Sequence, residues 1–197
     1  MSTIDPVLNV FEQTGAYLQG HFRLTSGLHS PAYLQCAKVL QYPVHAEAFG
    51  RALSLRFREM ANGEAIPLVA SPAVGGLIIG HEVARALGAR FQFTERDGAG
   101  KMTLRRGFEV MAGETAVVVE DVVTTGGSSR EVIDLLRDHG VRVIGAGSII
   151  DRSGGQADIG VARVALATLS VTTWAPEICP LCREGSVAVK PGSRNAG

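Results

Sequence analysis

The chain has 197 residues, with 19 Lys plus Arg balanced by 19 Asp plus Glu. That neutrality excludes the large basic excess on which non-specific nucleic-acid binding depends. Hydrophobic residues make up 46% of the chain and charged residues 19%, a composition that folds and does not stay disordered. Three cysteines are too few for a disulfide framework, and no basic segment followed by an apolar run opens the chain. The longest uncharged stretch, 65–80, is broken by Pro67, Pro72 and Gly75-Gly76, and is short for a bilayer span of about 20 residues. A cytoplasmic protein with no membrane contact and no nucleic-acid partner is expected.

Asp5-Pro6 reads as an N-cap with proline in the first turn, and Val7, Leu8, Val10 and Phe11 give the helix after it an apolar face. Residues 21–41 are turn-rich and predict loops and short strands. Pro43 opens a longer helix with a stripe of Ala46, Phe49, Leu53, Phe57 and Met60, stopped by Asn62-Gly63. The pattern then alternates. Strands are predicted at 68–71, 90–94, 115–121, 141–151 and 162–171, with helices at 76–87 and 126–139. Such alternation predicts parallel β-α-β units in one α/β domain. From residue 185 onward the apolar pattern stops and a loose tail is expected.

In an open parallel sheet, ligands bind where strands end and helices begin. The richest such junction is 116–130, AVVVEDVVTTGGSSR. The run 124–129 puts hydroxyls and unobstructed N–H groups at a helix N-terminus, which is an anion cradle. Two acids just before it, Glu120 and Asp121, would repel a bare phosphate but would accept hydrogen bonds from a ribose diol. Together they describe a site for a ribose 5-phosphate. The plainer reading is a pair of solvated acids followed by a serine-capped helix. Other phosphate loops fail: 97–103, DGAGKMT, lacks the first glycine and the final hydroxyl of a P-loop, and no Gly-x-Gly-x-x-Gly follows a strand.

Residues 117–129, VVVEDVVTTGGSS, resemble the phosphoribosyl-diphosphate motif of the type I phosphoribosyltransferases. Two further segments, HFRLTSGLHSPAY at 21–33 and IDRSG at 150–154, are similar to the base-pocket and strand-end elements of the orotate-using branch. The resemblance runs from about residue 11 to 194. It implies a single domain over 1–197: an open, mainly parallel sheet flanked by helices, with a small N-terminal hood contributed by about 1–42. It also implies transfer of a phosphoribosyl group from phosphoribosyl diphosphate to orotate, yielding orotidine 5′-monophosphate and diphosphate in pyrimidine synthesis, with Mg²⁺ carried by the diphosphate and a homodimer as the assembly.

Carried over by this resemblance, Glu120 and Asp121 hold the ribose hydroxyls, with Asp121 counted as catalytic. Thr124, Thr125, Gly126, Gly127 and Ser128 hold the 5-phosphate, and Val122 and Val123 are counted with them as binding phosphoribosyl diphosphate. Ala73, Val74 and Gly75, between a predicted strand and helix, bind the diphosphate through the backbone. Arg152, Thr124, Ser26 and Tyr33 take the orotate, although Arg152 also sits next to Asp151 and a simple ion pair is the alternative. Residues 95–107, ERDGAGKMTLRRG, correspond to a mobile catalytic loop in which Lys101 and Arg96 act on the leaving group. The competing reading of that loop is a solvated β-hairpin. This chain departs from the common pattern at Thr25 and Leu34 in the base segment, and at Val74-Gly75 in the diphosphate turn.

Cys179-Pro180-Leu181-Cys182 has metal-ligand spacing, but a structural zinc takes four ligands and no histidine follows His139. Buried thiols are expected there. His21, His29, His45, His81 and His139 show no paired spacing and are expected at the surface or at caps. Two alternatives to the orotate reading stand: a transferase for another nucleobase, and a non-catalytic sensor of phosphoribosyl diphosphate.

Overall fold

The computed structural model describes residues 5–24 and 26–191. Thr25 and the last six residues of the expected tail, 192–197, lie outside the described residues.

The centre is a six-stranded sheet of β3 (Leu68–Pro72), β4 (Arg90–Arg96), β5 (Met102–Leu104), β6 (Thr115–Val123), β7 (Arg142–Asp151) and β8 (Arg163–Thr168). Its order is β5-β4-β3-β6-β7-β8, parallel throughout except for the antiparallel β5 edge. The β-branched run of β6 explains its central position, because residues 115–119 are all buried. Successive side chains point to opposite faces. Val117 and Val119 pack with Leu53, Phe57 and Ile79, from α3 (Pro43–Ala61) and α4 (Gly76–Leu87). Ala116 and Val118 pack with Val132, Ile133 and Leu136 of α5 (Gly127–Asp138) on the other face. Both faces of a parallel sheet are thus covered, which is why its strands read as nearly continuous apolar runs.

β3 and β6 are neighbours, yet the next strands lie on opposite sides of them, β4 beside β3 and β7 beside β6. This is the topological switch point, where a crevice opens at the carboxyl ends of the strands. Beside it stands the hood: α1 (Pro6–Gln13), the antiparallel pair β1 (Tyr17–Arg23) and β2 (His29–Leu34), and α2 (Cys36–Leu40). Asp5 caps α1 by accepting a 2.8 Å hydrogen bond from the Val7 amide. Asn62, in the left-handed region at φ 48°, ends α3.

The structure corrects the tail. Within 185–191, the Val189 amide donates to the His21 carbonyl at 2.9 Å, and the Arg23 amide donates to the Val189 carbonyl at 2.8 Å. This stretch is tied alongside β1 by backbone pairing, which no apolar pattern announces. His21 and His29 are corrected as well: both are buried, not surface or cap residues.

Candidate active site

A cleft of about 500 Å³ lies at the switch point. Its floor is the β6–α5 junction, through Asp121, Val122, Thr124, Thr125, Gly127 and Ser128. The hood supplies Leu24, Ser26, Tyr33, Leu34 and Gln35. Arg96 from β4, Glu131 from α5 and Arg152, just after β7, complete the wall.

The junction has the shape its residues dictate. Gly126 has φ 80°, and a Cβ there would meet Ile159 Cγ2 at 2.3 Å, so the turn needs glycine at this position. As N-cap of α5, Gly126 provides no side-chain hydrogen bond. The first-turn N–H groups therefore stay available to an anion, with the helix dipole behind them. Ser129 does not cap the helix either, because its hydroxyl donates to Glu120 Oε2. That contact fixes Glu120 below the cradle and sets aside the reading of a merely serine-capped helix.

Both acids sit where a carboxylate is poorly solvated. Burial pushes Glu120 up to about 7, with the Ser129 hydrogen bond opposing the rise and the neighbouring Asp121 charge adding to it. Asp121 is also raised by burial, although its Oδ1 accepts a 2.9 Å hydrogen bond from the Val122 amide. Groups this poorly solvated gain from donors that a ligand brings.

The turn after β3 reaches the same carboxylate. A Cβ on Gly75 would lie 2.5 Å from Asp121 Oδ1, and one on Gly76 would lie 2.8 Å from Ser71 Cβ and 2.9 Å from the Val119 carbonyl. Glycine at both positions lets the turn carrying Ala73, Val74 and Gly75 close onto β6. The turn thus stands against the edge of the cleft, with exposed Val74 at its tip.

Arg152 is not Asp151's partner. Asp151 Oδ1 accepts from the Ser153 amide at 2.7 Å and from its hydroxyl at 2.6 Å, while Oδ2 is paired with Arg163 of β8. Burial works to raise the Asp151 carboxyl, but the Ser153 hydrogen bonds and the Arg163 guanidinium together hold it below the usual range. Arg152 is left facing the cleft. Its nearest hydrogen-bond partner is the Ser30 hydroxyl at 3.5 Å, its Nε is buried with no partner, and burial lowers its pKa from the ordinary value. Tyr33 lies within electrostatic reach of both Asp121 and Arg152; burial, then Asp121, raise its phenol against the opposing pull of Arg152. Its ring packs against Phe22 at 5.9 Å between centroids.

The basic segment takes the form of a β-hairpin, with β4 and β5 paired in register Thr94↔Leu104, Glu95↔Thr103 and Arg96↔Met102. Arg96 reaches the cleft but is held by Glu131, with nitrogen–oxygen distances of 2.7 and 3.1 Å. Arg106 pairs with Glu95 at 2.7 and 2.8 Å and lies over the Phe93 ring. Lys101 does not line the cleft; it borders a separate 280 Å³ cavity with Asp134 and Asp138 on the flank of α5. Glu131 went unnoticed in the sequence, where a helical glutamate beside Arg130 looks like any solvated face.

Two poorly solvated acids, a glycine-turned helix N-terminus, a close-packed glycine turn and a half-buried arginine whose Nε has no partner thus meet around one cleft. The chain matches the phosphoribosyl transferase domain family over residues 38–169 and belongs to it. Nearly full-length relatives place it among the orotate phosphoribosyltransferases. It is 54% identical to the orotate phosphoribosyltransferase of Pelotomaculum thermopropionicum over 192 residues, 98% of each chain. It is 53% identical to that of Heliobacterium modesticaldum over 191 residues, 96% of this chain and 98% of the other. The crystal structure of orotate phosphoribosyltransferase from Aeropyrum pernix superposes with a TM-score of 0.69 at 28% identity, covering 83% of this chain and 93% of that one. Among the described residues, no helix is long and apolar enough to cross a membrane.

Proposed function

We propose that this chain transfers the phosphoribosyl group of phosphoribosyl diphosphate to a ring nitrogen of orotate in the cytoplasm, releasing diphosphate. The carrying observation is the coincidence in one cleft of Asp121 and the cradle at 124–128 with the unpartnered Nε of Arg152. Asp121 and Glu120 accept the ribose hydroxyls, and the amides and hydroxyls of 124–128 take the 5-phosphate. The Arg152 guanidinium suits the carboxylate or a ring carbonyl of orotate, with Tyr33 available to stack on its ring and Ser26 and Thr124 at the rim. The nitrogen–C1 bond forms as the C1–oxygen bond to diphosphate breaks, with inversion through an oxocarbenium-like state. The ring nitrogen's proton passes to solvent, and no covalent intermediate on the enzyme is needed.

Mg²⁺ fits this residue set, since Asp121 stands directly against the diphosphate turn at Gly75. When bound, the ion screens the charge of the departing oxygens. Arg96 supplies cationic help from within the cleft once released from Glu131. Lys101, turned away from its own cleft, is read as serving the cleft of a second copy in a homodimer. The test is Mg²⁺-dependent diphosphate release with orotate, adenine, guanine or uracil as acceptor. Turnover confined to orotate is expected; turnover of a purine instead, or binding of phosphoribosyl diphosphate without turnover of any base, would falsify the assignment.

A further inference from the structure

Four residues from the two ends of the chain meet in the hood. His21 on β1, His29 at the start of β2, and Cys179 and Cys182 around the short helix α6 (Pro180–Arg183) bring one ligand atom each to within 4.8 Å of all the others. His21 Nε2 is 2.9 Å from His29 Nδ1 and 3.5 Å from Cys179 Sγ. Cys182 Sγ is 3.3 Å from His29 Nδ1 and 3.8 Å from His21 Nε2. Zinc bound tetrahedrally by two nitrogens and two sulfurs separates its ligand atoms by roughly 3.3–3.8 Å, given its usual bond lengths. The three sulfur–nitrogen contacts of 3.3, 3.5 and 3.8 Å already fall in that range, and the histidine pair needs to open by a few tenths of an ångström.

The protonation pattern agrees. His21 Nδ1 lies 3.0 Å from the Ser186 carbonyl, which can only accept, so the ring proton sits on Nδ1 and the free lone pair on Nε2. That lone pair points into the cluster. The supporting backbone is fixed on both sides: His29 and Trp174 exchange hydrogen bonds of 2.8 and 3.0 Å, and Val189 pairs with His21 and Arg23. His21, His29 and Cys179 are buried and Cys182 is half-buried, and four protein ligands leave no coordination position for a substrate.

We propose that His21, His29, Cys179 and Cys182 bind one structural Zn²⁺. The ion joins the C-terminal segment to the hairpin that carries Ser26 and Tyr33 into the cleft. Zinc suits a Cys₂His₂ set of mixed nitrogen and thiolate donors. The site is separate from the Mg²⁺ of the transfer reaction, and its test does not depend on activity.

The full chain, made without a histidine tag in zinc-supplemented medium and purified with a thiol reductant and no chelator, is expected to contain about one zinc per chain by elemental analysis. After chelation, titration with Co²⁺ is expected to give intense tetrahedral visible bands and sulfur charge-transfer absorption, saturating at one equivalent. The double variant Cys179→Ser/Cys182→Ser is expected to lose both the zinc and the charge-transfer band. Because that variant is open to misfolding, the wild-type measurements decide. Folded wild-type protein with little zinc and no cobalt bands, a Cys179–Cys182 disulfide persisting in reductant, or a folded double variant retaining a full equivalent of metal would each overturn the proposal.

Discussion

The two walls of the cleft are built differently. The wall proposed for the ribose phosphate stands on β3 and β6, two central strands buried on both faces, and its acids and cradle at the end of β6 follow one another within a few residues. The base wall hangs on a two-stranded hairpin outside that sheet, steadied by α1 and α2, by hydrogen bonds from Trp174 and Val189, and by the histidine–cysteine cluster. An isolated two-stranded hairpin is marginal in water, whereas a central parallel strand is held on all sides. The wall proposed for the sugar is therefore rigid through the core, and the wall proposed for the base is rigid only through its fastenings.

This contrast makes separable predictions. Asp121→Asn, on the core-built wall, removes the charge proposed to accept from the ribose, and kcat/KM should fall on the order of 10²–10³-fold. The melting temperature should not drop, because the native protein loses a poorly solvated carboxylate; a normal kcat/KM would break the assignment. Arg152→Ala, where the two walls meet, should raise the orotate KM about 10- to 100-fold through loss of a charge-assisted contact. Calorimetric affinity for phosphoribosyl diphosphate should change little, and equal losses for both substrates would erase the division of labour.

The smallest expected effect is that of pH. Burial pushes Glu120 from an ordinary 4.5 up to about 7. Sugar hydroxyls favour its ionised form, so affinity for phosphoribosyl diphosphate should rise up to about tenfold between pH 6 and 8, and Glu120→Gln should flatten that rise. For folding the sign is opposite. Between about 4.5 and 7 the native state holds a proton that the unfolded chain has lost, so this group's contribution to stability falls as pH climbs through that window. Stability measured by denaturant at fixed pH steps reads this slope.

What the sequence reveals follows the same division. The sugar wall was legible because 116–130 is contiguous: strand, acids, glycines and helix lie in the order in which they act. Helix ends were legible where chemistry is local, as at Asp5 and Asn62. The partner of Asp151 was not, because Arg163 reaches it with its long side chain from a register position opposite Ala146, which only the folded β7–β8 pair brings about. The four-ligand cluster was hidden for the same reason. Cys-x-x-Cys looked two ligands short because its histidines lie 158 and 153 residues earlier in the chain. The β5 edge strand, three residues long, carries too little pattern to be seen beside the charges of 95–107.

The Arg163–Asp151 pair has a consequence beyond its own strand. By occupying the aspartate, Arg163 keeps the next residue's guanidinium free for the pyrimidine role proposed for it. Replacing Arg163 with a neutral side chain would leave Asp151 to compete for Arg152 and draw it out of the cleft. On the proposed role of Arg152, substrate choice is thus open to drift at an edge-strand position outside the cleft's lining.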